Sequence, residues 1–181
     1  MIVPCRDAEA TLAETLESIL LQSFTDLEVI VLDDGSTDGS AGLAVQTGDE
    51  RVVVVRQDPA RGPAAARNRA VKESRGELLF FCDADDLMLP GKIDTQVAVF
   101  DERPQVGMVF TDFRVFDPDR GIVAASFLAE YDTVRWIAAA GVRDGGGFDR
   151  QRMVQGLLRT NFVGTSSVAL RRSAFDDAGV D

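Results

Sequence analysis

What most restricts this chain is a pattern repeated through its first half. A short apolar run ends in an acidic or glycine-bearing turn, and a helical stretch follows. The runs are Met1-Ile2-Val3-Pro4, Leu27 to Leu32, Val52 to Val55, Leu78 to Phe81 and Val106 to Thr111. Such runs have the composition of strands buried on both faces, which need no polar alternation. Strand and helix alternate four times before the pattern blurs. That alternation predicts an α/β fold, a Rossmann-like and mostly parallel central sheet flanked by helices, with right-handed crossovers. At 181 residues one domain is the expectation, spanning 1–181. A chain of this size buries roughly 70% of its unfolded surface.

The helices read from periodicity and caps. Leu12, Leu16, Ile19 and Leu20 form an apolar stripe at helical spacing. Asp7 is one candidate cap for that helix, and Thr11 with Glu14 as a capping box is another. In Asp33-Asp34-Gly35-Ser36-Thr37-Asp38-Gly39-Ser40, the glycines permit tight turns and Ser36, Thr37 or Asp38 can cap a helix running to about Gln46. A further helix is expected from about Ala64 to Ser74, ended by Arg75-Gly76, and another from Lys92 to Glu102 with Ile93, Val97 and Phe100 inward. Beyond Asp112 the expectations are a hairpin (Arg114 to Phe116 with Ile122 to Ala125), a helix from Thr133 to Ala140, and a flexible joint at Gly145-Gly146-Gly147. A helix from Gln151 to Leu158, a strand from Ser167 to Leu170 and a last helix from Ser173 follow.

The chemistry collects at strand ends. Phe80-Phe81-Cys82-Asp83-Ala84-Asp85-Asp86 carries an apolar strand straight into three acids. Ligands of open α/β sheets bind beyond the carboxyl ends of the strands. Crowded carboxylates there repel one another, and a hard cation relieves that repulsion; Mg²⁺ uses one or two protein carboxylates and completes its shell with water and phosphate. Asp83-Ala84-Asp85 is therefore read as a D-x-D element holding a divalent metal against a diphosphate, the other reading being an acidic turn capping the next helix. Asp33-Asp34 is expected at the end of a neighbouring strand. Asp34 can accept a hydrogen bond from a base N–H or a ribose hydroxyl, or the pair can cap the helix near Ser36. Pro4 to Asp7 would line the same edge. Arg67, early in its helix, can reach phosphate or the acids. Gly62 would let its loop approach a ligand or make a turn. Arg69 and Lys72 read as a solvated face.

The net charge of −11 argues against nucleic acid or an anionic membrane surface as main partner. With no histidine, a His-dependent triad is excluded and the commonest zinc ligand is missing. Cys5 and Cys82 at strand ends suggest reduced thiols, with a bridge left open. No apolar run is long enough to span a bilayer.

Four segments match one family in order and spacing. They are Val3-Pro4-Cys5-Arg6-Asp7-Ala8-Glu9, Val29 to Asp38, Gly62-Pro63-Ala64-Ala65-Ala66-Arg67-Asn68, and Asp83 to Lys92. The chain resembles the GT-A fold glycosyltransferases of the large inverting family 2. The resemblance implies a nucleotide-sugar donor, with a UDP-sugar favoured, and transfer with inversion to a hydroxyl of a carbohydrate or lipid-linked acceptor, in cell-surface polysaccharide synthesis. It implies donor contacts from Pro4, Cys5, Asp7, Glu9, Asp34, Gly62, Arg67, Asp83, Ala84 and Asp85, and Mg²⁺ or Mn²⁺ on Asp85 with Asp83. Residues 1–112 would be the nucleotide-sugar-binding half and 113–181 a partial acceptor-side half. A cytoplasmic location, peripheral at the inner membrane face, follows by the same association, and a homo-oligomer is compatible with it.

The chain also departs from the pattern. The aromatic of the family's Tyr-Asn pair is absent, Arg6-Asp7 standing there. The family's Glu-Asp base would come after Asp181, so the expectation is a C-terminally truncated enzyme, with Asp112 the nearest remaining candidate base. The alternative is a binding module that keeps the donor half without catalysis. A nucleotidyltransferase needs a glycine-rich loop after the first strand, and Pro4 to Ala10 has no glycine. No G-x-G-x-x-G follows a strand, which removes a dinucleotide oxidoreductase.

Overall fold

The computed structural model describes residues 1–117, 119–139, 147–148 and 150–179. They form two compact units, Met1–Phe110 with Val168–Asp181, and Thr111–Ser167. The first unit is thus built from two separate segments of the chain, the second following Ser167.

In the first unit the strands are β1 (Ile2–Cys5), β2 (Val29–Asp33), β3 (Val52–Arg56), β4 (Leu78–Phe80) and β5 (Met108–Phe110), each followed or preceded by a helix. The helices are α1 (Leu12–Leu20), α2 (Ser40–Gln46), α3 (Pro63–Glu73) and α4 (Lys92–Glu102). β2 pairs in parallel with β1 on one side and β3 on the other. β1 meets the end of β4 at a parallel bridge, Ile2 to Phe81, where the Cys82 N–H donates to the Ile2 carbonyl at 3.0 Å. Asp34 and Asp83 therefore do not follow adjacent strands: β1 lies between them. The two acidic turns flank the Pro4–Asp7 segment.

Alternation sends successive residues to opposite faces, and each face has its own helices. Val3, Cys5, Val29 and Val31 pack with Leu12, Leu16 and Ile19 of α1 and Phe100 of α4. Ile2, Ile30, Leu32, Leu79 and Phe81 pack with Ala66, Ala70 and Val71 of α3. Fully burying a side chain the size of Leu or Ile contributes about 1.5–3 kcal/mol, so α1 is anchored by its apolar stripe without needing a capping box. Thr11 indeed makes no side-chain cap.

A late strand completes the sheet. β8 (Val168–Arg171) runs antiparallel between β4 and β5, with Leu170 opposite both Leu79 and Met108. Its two arginines then close helix ends. The Arg171 guanidinium donates to the carbonyls of Phe100 (2.6 Å) and Val106 (2.9 Å) after α4. The Arg172 guanidinium, at the start of α7 (Arg172–Asp177), donates to Val71, Ser74 and Gly76 at the end of α3. Cations suit the negative end of a helix. Arg172, rather than Gly76, supplies the C-terminal cap expected for α3.

The second unit contains the expected hairpin, β6 (Val115–Asp117) and β7 (Gly121–Ala124), and the helices α5 (Asp132–Ala139) and α6 (Arg150–Arg159). The Arg159 guanidinium lies 4.3 Å from the Trp136 ring centroid, and Phe113 stacks on Phe127 at 4.2 Å. Gly145 and Gly146 of the expected joint lie outside the described residues.

Candidate functional site

The turn after β2 is built from side chains that serve backbone. Asp33 Oδ1 accepts the Ser36 N–H at 2.9 Å. Ser36 Oγ, Ser40 Oγ and Asp38 Oδ2 accept the N–H groups of Asp7, Ala8 and Glu9. In return Asp7 Oδ1 accepts the N–H and hydroxyl of Thr37, and Glu9 Oε2 accepts the Gly39 N–H at 3.1 Å. Asp7 holds φ of 48°, a left-handed conformation that costs a non-glycine residue energy and is sustained here by these reciprocal bonds. Thr37 and Asp7 thus bind each other, and neither caps the helix assigned to it. Gly39 has an ordinary φ of −75°; a Cβ there would sit 2.6 Å from the Glu9 carboxylate. Close approach, not a turn, requires that glycine.

Asp34 is 3% exposed and its lone pairs are largely used. Oδ1 accepts from Gln57 Nε2 (2.7 Å) and the Arg61 N–H (2.8 Å), and Oδ2 from the Gly62 N–H (2.7 Å). Burial opposes its ionisation, but the donors on Arg61, Gln57 and Gly62 outweigh that and hold the carboxyl below the usual carboxylate range. Asp34 therefore stitches the end of β2 to the loop that opens α3. Gly62, at φ of 88° and ψ of 165°, occupies a conformation open essentially to glycine, and Pro63 starts the helix immediately after it.

The turn after β4 is built the other way round. The Ala84 carbonyl, between the two acids, accepts hydrogen bonds from Thr11 Oγ1 (2.8 Å) and Thr15 Oγ1 (2.9 Å). Ser18 Oγ accepts the Met88 N–H, and Gln22 Nε2 donates to the carbonyls of Met88 and Leu89. Thr11, Thr15, Ser18 and Gln22 recur at helical spacing and form a second, polar stripe on α1 that the sequence reading passed over. The signal was the spacing itself, hydroxyls and an amide at i, i+4, i+7 and i+11. With the backbone held this way, Asp85 is left exposed and Asp83 half-buried against Arg67, whose Nη2 donates to Asp83 Oδ1. The Arg67 Nε is buried and has no hydrogen-bond partner.

These pieces enclose a cavity of about 580 Å³ within the first unit. Pro4, Cys5, Asp7, Asp34, Gly62, Arg67, Asp83, Ala84 and Asp85 all line it. Glu9 stands outside the lining, spent on Gly39. Neither cysteine offers a nucleophile: both are free and buried, and burial together with Asp86 pushes the Cys82 thiol up to about 12. Beneath the acidic turn, burial lowers the Lys92 ammonium to about 8; its Nζ donates to Gln96 Oε1 at 2.8 Å. Among the described residues no group of three or more Cys, Asp or Glu side chains converges to hold a metal.

Asp112 lies in the second unit. Its Oδ1 accepts from Phe113 and Leu128 N–H, and its Oδ2 from Ser126 Oγ at 2.5 Å. Burial opposes ionisation there, and the donors of Leu128, Ser126 and Phe113 overcome it, so the carboxyl lies below the usual range. A carboxylate so occupied is a poor proton acceptor. Its place is that of a cap for the 3-10 turn Leu128–Glu130.

The model of one family, glycosyl transferase family 2, matches residues 1–179. The chain belongs to glycosyl transferase family 2. The succinoglycan biosynthesis protein ExoU of Rhizobium meliloti is 42% identical over 95 residues, which is 51% of this chain and 28% of that protein. The matched stretch spans 17–43% of the length of the curated relatives. The crystal structure of Staphylococcus aureus TarS 1-349 in complex with UDP-GlcNAc superposes with a TM-score of 0.55 at 32% identity, over 57% of this chain and 31% of that one. The mannosyltransferase PcManGT of Pyrobaculum calidifontis, solved with GDP-Man and Mn²⁺, shares the fold over 98% of this chain and 45% of its own, with a TM-score of 0.69 at 23% identity. The α/β architecture is thus that of the GT-A glycosyltransferases. No helix among the described residues is long and apolar enough to cross a membrane.

Proposed function

We propose that this chain binds a nucleoside-diphosphate sugar, a UDP-sugar in preference, in the cavity between the two acidic turns, and that it carries the donor side of a sugar transfer to an acceptor hydroxyl with inversion. The observation that carries this reading is the convergence on one 580 Å³ cavity of the Asp34-held Gly62 loop, the Arg67–Asp83 pair and exposed Asp85. Pro4 to Asp7 would offer backbone groups to the base, beside the one lone pair Asp34 keeps free. Arg67, partly exposed at the cavity and paired with Asp83, brings a cation to the phosphates.

The donor set also fits a divalent ion. A hard cation with one or two carboxylates completes its shell with diphosphate and water, and Asp85 with Asp83 supplies that number. Bound there, Mg²⁺ or Mn²⁺ would act as a Lewis acid on the departing diphosphate. Exposed Asp85 would be the direct ligand, and Asp83, tied to Arg67, would meet the ion or its bound water. The likeness to the succinoglycan biosynthesis protein ExoU supports polysaccharide synthesis as the setting, and a likeness to a glucosyltransferase named for a diphosphoundecaprenol-linked sugar supports a carbohydrate or lipid-linked acceptor.

The test is a calorimetric titration of UDP with and without Mn²⁺ against the parent chain and Asp85→Ala. Metal-dependent binding that disappears in the variant is the expected result. UDP, GDP and TDP all failing to bind the parent in either condition would sink the proposal. A second reading, a nucleotide-sugar-binding module without transfer, is favoured by the three donors that occupy Asp112. Release of UDP from a UDP-sugar by the parent chain, lost in Asp85→Ala, would eliminate it.

A further inference from the structure

The polar stripe along α1, from Thr11 to Gln22, touches the acidic turn from the side opposite the solvent. Its residues lie behind the acids, and Thr15, Gln22 and Ala84 are buried at 0%, 4% and 7% exposure. Two hydroxyls from successive turns of one helix converge on a single carbonyl, that of the residue between Asp83 and Asp85. The remaining stripe takes the next free backbone groups in order: Met88 N–H by Ser18, Met88 and Leu89 carbonyls by Gln22, and the Ile93 N–H by Gln22 Oε1 at 3.4 Å. The turn has a bond of its own at Asp86 N–H to Asp83 carbonyl (3.1 Å), but no regular ladder. The Cys82 thiol also donates to the Asp86 carbonyl at 3.7 Å, and around these internal bonds the Ala84–Leu89 backbone is held from α1, a helix locked to the sheet by Leu12, Leu16 and Ile19.

We propose that Thr11 and Thr15 are positioning residues for the acidic turn. By fixing the Ala84 carbonyl they fix the backbone on either side of it, and with it the direction in which Asp83 and Asp85 leave the chain. This rests on the reading that those acids hold a metal diphosphate. A carbonyl can take two donors, so each hydroxyl contributes its own bond and either alone still satisfies the carbonyl. Substitutions just outside a metal's own ligands typically weaken metal affinity 10–100-fold.

The experiment uses Thr11→Val, Thr15→Val, the double variant and Thr15→Ser in the full chain. Valine keeps the shape of threonine and removes the donor; serine restores it. Calorimetry with UDP in the absence and presence of Mn²⁺ separates the nucleotide contacts from the metal-dependent part. Native-state amide exchange at residues 85–88 reads the turn with no ligand present. The double variant is expected to lose about tenfold of the Mn²⁺-dependent enhancement, to keep metal-free UDP binding, and to exchange faster at 85–88, with Thr15→Ser close to the parent. Unchanged exchange and unchanged Mn²⁺ dependence in the double variant would overturn the proposal. So would an equal loss with and without Mn²⁺, because that is damage to the whole unit. Asp85→Ala run in parallel keeps the two readings apart. If it leaves the Mn²⁺ dependence intact the metal reading fails on its own, and the exchange rates still decide whether the threonines hold the turn.

Discussion

The two acidic turns flanking β1 look alike in composition and are built on opposite principles. After β2, carboxylates and hydroxyls are consumed by backbone N–H groups: Asp33 serves Ser36, Asp34 serves Arg61 and Gly62, and Asp38 serves Glu9. After β4, neutral side chains from α1 satisfy the backbone, and Asp85 stands exposed. In the first turn the charge makes the wall. In the second the wall is made by Thr11, Thr15, Ser18 and Gln22 so that charge is left over. A carboxylate at the end of a strand is thus informative only once its donors are counted.

The contrast can be broken by substitution, and stability is the common scale. Asp34→Ala should be the most damaging, because it strands the buried Gln57 amide and the Arg61 and Gly62 N–H groups together. A loss of about 3 kcal/mol or more is expected at 1–3 kcal/mol per unsatisfied group, read from the urea midpoint. A loss under about 1 kcal/mol would mean that the Gly62 loop does not depend on Asp34. Gly62→Ala should cost about 1–3 kcal/mol from backbone strain alone, by the same measurement, and should weaken UDP binding since Gly62 lines the cavity.

Acid should act selectively on the first turn. The Asp34 carboxyl is depressed in the folded state, so its contribution is fully present above the ordinary carboxylate value of about 4 and fades as pH falls through the lower folded value. Asp34→Asn should flatten that part of the acid-unfolding curve. Lys92 gives the corresponding test near the second turn. Its folded value of about 8 lies below the unfolded value of about 10.4. The contribution of this group is therefore present above pH 10.4 or so and is lost as pH falls through 8. Lys92→Met should remove a rise in stability between those limits; an unchanged slope would place the ammonium in solvent. Asp85→Ala should have the smallest effect on stability, within about 0.5 kcal/mol as for surface positions, while abolishing Mn²⁺-dependent UDP binding.

Much of this was legible in the residues. Buried apolar runs alternating with helices called for a parallel sheet, and β1, β2 and β3 form it, with the end of β4 bridged in parallel to β1, because local pattern and tertiary burial agree there; β4 and β5 pair instead with the antiparallel β8. The strand ends marked the cavity, and Pro4, Asp34, Gly62, Arg67, Asp83 and Asp85 meet at it. What local pattern could not carry was the sheet order. β1 separates the two acidic turns through a parallel pairing that leaves no trace in nearby residues. The strand Val168–Arg171 was expected, but its insertion between β4 and β5 depends on Arg171 and Arg172 finding carbonyls far along the chain. Ser36 and Thr37 were read as local caps, whereas their partners are the Asp7 N–H and the Asp7 carboxylate. Side chains that can serve either a near or a distant backbone group are decided by the fold, not by the neighbours.

The position of β8 also orders events during synthesis. Arg172 reaches Ser74 across 98 residues, and on a ribosome adding roughly 5–20 residues per second that gap is on the order of 5–20 s. Through that interval the inner edge of β4 has no partner, and an unpaired edge is a template for misassociation. The residues that line the cavity are thus all made well before β8 covers the edge of β4, and the window between the two is when a chaperone would have something to hold.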